Sequence, residues 1–260
     1  GTMIVRSRAP ARISFGGGGT DVPPFDEEYG GLVLSTTINK YVYGTLETRS
    51  DRQLKFRSAD YKRSLEFEHI GMLEYTGDLD LMKAVFRVTK PEFGADVFLR
   101  SDITPNSGLG TSASACASML GLVNFLRKEK MDNDEIAELA YSIEVDELKN
   151  KSGRQDQYAT AYGGFNLIEF KGKDSVRVSP IKISKDRLYE LEKNLLLAYT
   201  GPRESSGKIV GRQIESVMKN QKDVVDALLS TKLTVKEMYR ALEGGDFGEF
   251  GRLLDEQWQN

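Results

Sequence analysis

The stretch Pro105-Asn106-Ser107-Gly108-Leu109-Gly110-Thr111-Ser112-Ala113-Ser114 combines the residue types and spacing that could hold a phosphate. Gly108 and Gly110 let the backbone turn sharply and approach a ligand closely. The hydroxyl residues open a segment of small and apolar residues that reads as a helix, with Thr111 or Ser112 as its cap. A helix N-terminus offers unpaired N–H groups and the positive end of a dipole, which together suit phosphate. Neighbouring hydroxyls could complete the shell of a Mg²⁺ ion that also holds phosphate oxygens. The plainer reading is a hydroxyl-capped helix after an ordinary turn. A lone Gly-x-Gly would favour it, but Pro, two glycines, two hydroxyls and a small-residue helix face together favour phosphate. The loop is not of the Walker A kind. The nearest approach to that pattern, Gly201 to Ile209, has five residues between its glycines and no Ser or Thr after Lys208.

Further polar positions could act on a phosphate, and each has a bland alternative. Asp156 stands between Gln155 and Gln157 near an expected helix start. It either satisfies backbone N–H groups there or takes the proton of a hydroxyl aligned with a transferable phosphoryl group. Glu144 lies one turn beyond Ala140 on a predicted helix over 133–148, as a boundary charge or a buried ligand. Arg12 is a surface strand residue or a cation that offsets charge developing on a transferred group. Arg203, Ser205, Ser206 and Lys208 follow an apolar run, as a solvated turn or a grip on a substrate phosphate, which Arg suits. His69, between Glu68 and Ile70, reads as structural or exposed.

The elements that must position these residues are mixed. Short strands are expected over 4–9, 54–56, 64–67, 95–100, 164–170 and 176–183, with one long bent strand or two over 32–49. Helices are expected over 79–89, 111–127 and 133–148, and almost throughout from Ser206 on, with breaks at Thr231 and at Gly244-Gly245. The apolar run Leu195–Tyr199 reads as a buried strand. Strands and helices without regular βαβ alternation predict an α+β fold.

Composition narrows the function classes. The chain has 260 residues, 39% hydrophobic and 29% charged, enough for a sizeable core without a disulfide or metal. Its single cysteine, Cys116, and single histidine, His69, exclude a Cys zinc cluster and most His-based sites. With 36 basic and 39 acidic residues the formal charge is −3, so no nucleic-acid partner is expected. No apolar run long enough to span a membrane exists, and Gly1-Thr2-Met3 reads as a short appended lead before a natural Met3. A cytoplasmic protein without membrane contact is the default expectation, and a homodimer is left open.

Pro105 to Ala113 resembles the second motif of the GHMP kinases, the family of galactokinase, homoserine kinase and mevalonate kinase, with Thr111 at its first Ser position. Pro10-Ala11-Arg12-Ile13-Ser14-Phe15-Gly16-Gly17-Gly18-Gly19-Thr20-Asp21 is similar to the family's first motif. Its Gly-Gly-Gly-Gly-Thr-Asp-Val-Pro-Pro form is narrower and resembles the heptose 7-phosphate kinases, more distantly L-fucokinase. Gly153-Arg154-Gln155-Asp156-Gln157-Tyr158, followed by Gly163-Gly164-Phe165-Asn166, matches the same subgroup. The resemblance runs from about Ile4 to the chain end.

The resemblance implies a two-lobed fold. An N-terminal lobe like ribosomal S5 domain 2 would cover 1–164, and a ferredoxin-like C-terminal lobe 165–260. ATP and Mg²⁺ are implied. Pro105, Ser107, Gly108, Leu109, Gly110, Thr111, Ser112 and Ala113 would hold the nucleotide, and Ser112 with Glu144 the metal. Asp156 would be the base, with Arg12 beside it. Gly18, Gly19, Thr20 and Asp21 would face the sugar, and Arg203, Ser205 and Ser206 would take a substrate phosphate. The implied reaction is phosphoryl transfer to the anomeric hydroxyl of a heptose 7-phosphate or related sugar phosphate. The rivals are a fucokinase-like or galactokinase-like enzyme, and a nucleotide-binding protein that lost catalysis. The family's third, glycine-rich motif has no counterpart after Gly207, because Gly244-Gly245 sits among acidic residues in a helix–helix turn. The chain is therefore expected to be incomplete in its second lobe.

Overall fold

A computed structural model describes residues 1–259, so only Asn260, the last residue of the expected second lobe, lies outside the described residues. Strands are β1 (Ile4–Gly16), β2 (Gly31–Arg49), β3 (Leu54–Ser58), β4 (Arg63–Phe67), β5 (Gly94–Ser101), β6 (Phe165–Phe170) and β7 (Val176–Pro180). Helices are α1 (Phe25–Tyr29), α2 (Asp80–Thr89), α3 (Thr111–Leu126), α4 (Asn133–Ser142), α5 (Gln155–Tyr162), α6 (Lys185–Lys193), α7 (Ser206–Met218), α8 (Lys222–Gly244) and α9 (Phe247–Gln259). This is the mixed α+β architecture expected. The chain forms two compact units that interleave in sequence. One holds residues 1–12, 38–152 and 156–162, and the other 13–37, 153–155 and 163–260.

In the first unit the strand order is β4-β3-β5-β2, and β1 pairs with β2. The β3–β4 and β2–β5 pairs are antiparallel, whereas β3 and β5 are parallel. Alternation along β2 buries Val42 and Leu46 and leaves Tyr41, Tyr43 and Thr45 half-buried, as a sheet with one covered face requires. The core joins Leu46, Phe56, Val97 and Phe86 to Met119, Leu120 and Ile143. A capping box starts α4, with Asp132 accepting from the Glu135 N–H and Glu135 from the Asp132 N–H.

In the second unit the first half of β2 pairs antiparallel with β6, Val33 facing Ile168, and β6 pairs antiparallel with β7. Phe15, Leu34, Val235, Met238, Leu242, Phe250 and Leu253 form its core. A smaller cluster packs Phe25 of α1 against Val217, Val225 and Leu228.

The structure corrects several expectations. β1 does not stop at Ala9 but continues to Gly16, since half-buried Pro10 and buried Ala11 fit an extended chain. Leu195–Tyr199 is neither strand nor buried: Leu196 is 93% exposed, and among the described residues no strand pairs with the run. Thr231 does not break a helix, because α8 runs unbroken across it, and the helical turn there is tolerated within a long amphipathic element. The helix over 133–148 changes at Ile143 into a π-helical turn over Ile143–Glu147. Short α1 and polar α6 carried too little apolar periodicity to be foreseen. Among the described residues no helix is long and apolar enough to cross a membrane.

Candidate active site

The first unit brings the glycine loop, Arg12, Asp156 and Glu144 into one neighbourhood. Arg12 is buried near the middle of β1, not on the surface. Its Nε donates to Asp156 Oδ1 at 2.7 Å, its Nη1 to the Gly108 carbonyl at 2.9 Å, and its backbone N–H to the Leu109 carbonyl at 3.0 Å. One side chain thus ties the carboxylate at the start of α5 to the glycine loop. The Pro10 carbonyl accepts from Ser114 of α3 at 2.8 Å and from Thr160 of α5 at 2.9 Å, which fixes both helices on β1.

The loop itself alternates left-handed backbone at Asn106, Gly108 and Gly110, with φ of 63, 81 and 70°. Such alternation turns successive N–H groups toward a common side, an arrangement that binds anions. The Thr111 or Ser112 cap does not form. The N-cap is Gly110, and no side chain caps α3. At a left-handed cap the hydroxyls belong to the first helical turn, so they cannot reach back to the free N–H groups. Ser107 Oγ is buried without a hydrogen-bond partner. An open helix end, a left-handed loop and an orphaned hydroxyl fit a bound phosphate chain.

A cavity of about 440 Å³ begins at this loop. Pro105, Asn106, Thr111 and Ser112 line one end together with Glu144 and Asn150, while Met82, Leu99 and Ile103 supply apolar wall. Glu144 sits on the π-helical turn, and its Oε1 accepts from Asn150 Nδ2 at 3.2 Å. Burial pushes the Glu144 carboxyl above its ordinary range, and the negative charge of Asp156 adds to this against the Asn150 hydrogen bond. A carboxyl held this way gains from a cation. Among the described residues no three acidic, His or Cys side chains form a metal cluster. Ser112 and Glu144 line the same cavity, so a hydroxyl and a carboxyl share its wall. His69 is exposed and accepts from the Gly71 N–H, with no place in the site.

The second unit holds the other glycine stretch. Thr20 has no exposed surface; its hydroxyl donates its one hydrogen toward the Gly17 carbonyl at 2.7 Å, with the Leu32 carbonyl at 3.1 Å, and accepts from the Leu32 N–H at 2.9 Å. Its side chain is thereby committed to the backbone of the turn. Asp21 is buried as well. Its Oδ1 accepts from the Gly19 N–H at 3.2 Å and its Oδ2 from the Gln155 N–H at 2.9 Å. Gly18 is exposed and Gly19 half-exposed. Gln213 of α7 donates to the Gly19 carbonyl at 2.7 Å, and Gln257 of α9 accepts from the Gly17 N–H at 3.2 Å. Arg203, Ser205, Ser206 and Lys208 are all exposed around the start of α7, whose N-cap Ser205 makes no side-chain capping bond.

Sequence reasoning missed Ser14, Arg154 and Asp26. Arg154 Nη1 donates to fully buried Asp26 Oδ2 at 3.2 Å, and the Gly172 N–H donates to the same oxygen at 3.1 Å. The available signal was an acid in a Pro-Pro-Phe-Asp turn.

Residues 80–164 match the family model described as the GHMP kinases N terminal domain. The chain is 31% identical to D-glycero-alpha-D-manno-heptose 7-phosphate kinase of Campylobacter jejuni, over 98% of this chain and 76% of that protein. It is 28% identical to L-fucokinase/L-fucose-1-P guanylyltransferase of Bacteroides fragilis, over 99% of this chain but 30% of that protein. A crystal structure of a D-glycero-D-manno-heptose 1-phosphate kinase from Bacteroides thetaiotaomicron superposes with a TM-score of 0.84 at 32% identity, covering 99% of this chain and 78% of that one.

Proposed function

Because the chain belongs to the GHMP kinase family and is an ATP-dependent kinase, we propose that it phosphorylates the anomeric hydroxyl of D-glycero-D-manno-heptose 7-phosphate or a closely related sugar phosphate. The observation that carries this reading is the Arg12–Asp156 ion pair, bound to the loop that precedes an uncapped helix. In this reading the loop over 105–113 receives the nucleotide phosphates on its backbone N–H groups, with Ser107 as a further donor. Asp156 accepts the proton of the attacking hydroxyl, while Arg12 holds that carboxylate in place and offsets charge developing on the transferred group. Ser112 and Glu144 would hold the Mg²⁺ ion, whose bound charge neutralises phosphate oxygens. Most of the rate gain comes from alignment and charge neutralisation.

Gly18, Gly19 and Asp21 form the acceptor-side wall in this proposal, and Thr20 keeps their turn in shape. Arg203, Ser205, Ser206 and Lys208 take the phosphate that the substrate already carries. Their support is exposure, the open N-terminus of α7 and the Gln213 bond from that helix to Gly19. The names of two relatives also describe a phosphate on a manno-heptose, at different carbons.

ADP release across free and phosphorylated heptoses and hexoses tests the reading. The heptose 7-phosphate is expected to be turned over best. Asp156→Asn should lower kcat at least about 100-fold with nucleotide affinity little changed. Near wild-type turnover in that variant would remove Asp156 from the base role. Preference for free fucose or galactose would replace the substrate class, and nucleotide binding without turnover on any sugar would leave a binding protein.

A further inference from the structure

Gln155 directly precedes the proposed base, yet its amide has no part in the reaction described above. Three observations within the second unit define it. Its backbone N–H donates to Asp21 Oδ2 at 2.9 Å, which fixes the main chain. Ser14 Oγ donates to Gln155 Oε1 at 2.9 Å, which fixes the side chain and commits its acceptor. Its Nε2 makes no hydrogen bond to any described residue and is not sealed from solvent. That nitrogen lies 3.7 Å from where a Cβ on exposed Gly18 would stand, so it borders the open side of the glycine turn.

We propose that the Gln155 amide is a specificity-determining donor that reads the sugar hydroxyl on the carbon next to the acceptor, and that Ser14 is its positioning residue. The inference rests on the sugar-kinase reading above. With its oxygen held by Ser14, the amide turns its N–H₂ away from that contact, and an N–H₂ selects an acceptor lone pair on the ligand. A sugar hydroxyl supplies one. Gly18 matters because it has no side chain to cover the nitrogen. With an anomeric acceptor, the neighbouring group is the C2 hydroxyl. A site that hydrogen-bonds a substrate hydroxyl discriminates against the analogue lacking it, because the donor is then left unmet.

The variant Gln155→Glu separates the roles, since a carboxylate still accepts from Ser14 but cannot donate. Mannose 6-phosphate and 2-deoxyglucose 6-phosphate, its 2-deoxy form, serve as probes. Calorimetric binding of both sugars reports recognition independently of the base, and ADP release reports kcat and KM. For the wild type we expect the 2-deoxy probe to bind about tenfold more weakly, the worth of one neutral hydrogen bond. Gln155→Glu should bind the two probes equally, with the change in KM rather than kcat. Ser14→Ala should lose part of the discrimination, and adding it to Gln155→Glu should change nothing further. A Gln155→Glu protein that keeps the wild-type preference for the 2-hydroxyl overturns the proposal. So does a wild type that does not distinguish the probes. If free sugars are preferred, mannose and 2-deoxyglucose replace the phosphates. The substrate reading has then failed, while the amide's role is still decided by the same comparison. A discrimination lost in Gln155→Glu but equally lost in Asp156→Asn would mark general disruption and also sink it.

Discussion

Two glycine-rich stretches of this chain have similar composition and opposite construction. In the loop over 106–110 three left-handed residues lead into a helix that no side chain caps, and a buried hydroxyl lacks a partner. In the turn over 16–21 Thr20 and Asp21 are buried and bonded to backbone, and Gln213 and Gln257 hold the glycines from outside. The first stretch leaves donors open at the cost of local stability. The second ties Gly17, Gly19, Thr20 and Asp21 into hydrogen bonds and gains a rigid shape. Glycine is required in both, for different reasons: backbone crowding in the turn, and room beside functional side chains in the loop.

Single alanines should break this comparison most sharply. An added Cβ at Gly17 would land on the Leu32 carbonyl oxygen, with φ at 93°. Neither backbone can yield, so Gly17→Ala should cost at least about 4 kcal/mol or abolish folding. At Gly110 an added Cβ would meet Arg12 Cγ and Asp156 Cγ, each at 3.3 Å, and Arg12 Nε at 3.4 Å, with φ at 70°. Gly110→Ala should lose only about 1–2 kcal/mol of stability, the usual cost of a left-handed non-glycine. Its kcat should nonetheless fall markedly, because the pair that must shift is the proposed catalytic one. Urea melts and ADP release on both variants check this. Equal loss of stability in the two would erase the distinction.

A smaller effect sharpens the account of the turn. Thr20→Val removes the hydroxyl that serves the Gly17 and Leu32 carbonyls and leaves the Leu32 N–H without its partner. A buried donor left unmet costs about 1–3 kcal/mol. The urea midpoint should fall accordingly, Thr20→Ser should restore most of it, and the KM of folded protein should stay near wild type. A large rise in KM with unchanged stability would instead give Thr20 a direct contact with the sugar.

Much of this contrast was legible in the sequence. Gly108, Gly110 and the following small-residue helix were legible as a glycine turn leading into a helix, because spacing and helix position follow from local backbone rules. Asp156 at a helix start was likewise visible. The partnership of Arg12 with Asp156 was not, since 144 residues separate them and only the packing of β1 joins them. The same holds for Ser14 and Gln155, and for Asp26 and Arg154. The backbone bonds of the Thr20 hydroxyl were hidden for a related reason: a hydroxyl in a glycine motif looks the same in sequence whatever it bonds to. Leu195–Tyr199 failed differently, because an apolar run records a tendency to be covered and not the presence of a cover. Glu144 was placed on a regular helix, and the π-helical turn that carries it has no local sequence signature.

Glu144 supplies the last and smallest test, on the open side of the comparison. Burial first, and then the Asp156 charge, raises its carboxyl pKa above the ordinary 4.5. Between that unfolded value and the raised folded one, the folded chain binds more protons than the unfolded chain. Stability contributed by this group therefore falls as pH rises through the window, the opposite of a salt-bridged carboxylate. Glu144→Gln keeps an acceptor for Asn150 and cannot ionise. Without nucleotide, the variant should match or slightly exceed wild-type stability at neutral pH, by no more than about 1 kcal/mol, and should lose this part of the pH slope. Its Mg²⁺ requirement should rise about tenfold and be partly rescued by added Mg²⁺, as for a lost ligand of a bound ion. Ser112→Ala should share the Mg²⁺ effect but not the pH effect. Asp156→Asn should shift the wild-type pH window downward, because one of the charges that raises the Glu144 carboxyl is gone. Thermal melts from pH 4 to 8 and Mg²⁺ titrations of ADP release measure each of these. A Glu144→Gln protein that is less stable than wild type at neutral pH, with an unchanged Mg²⁺ dependence, would show that this carboxyl is a structural group and that the cation is held elsewhere.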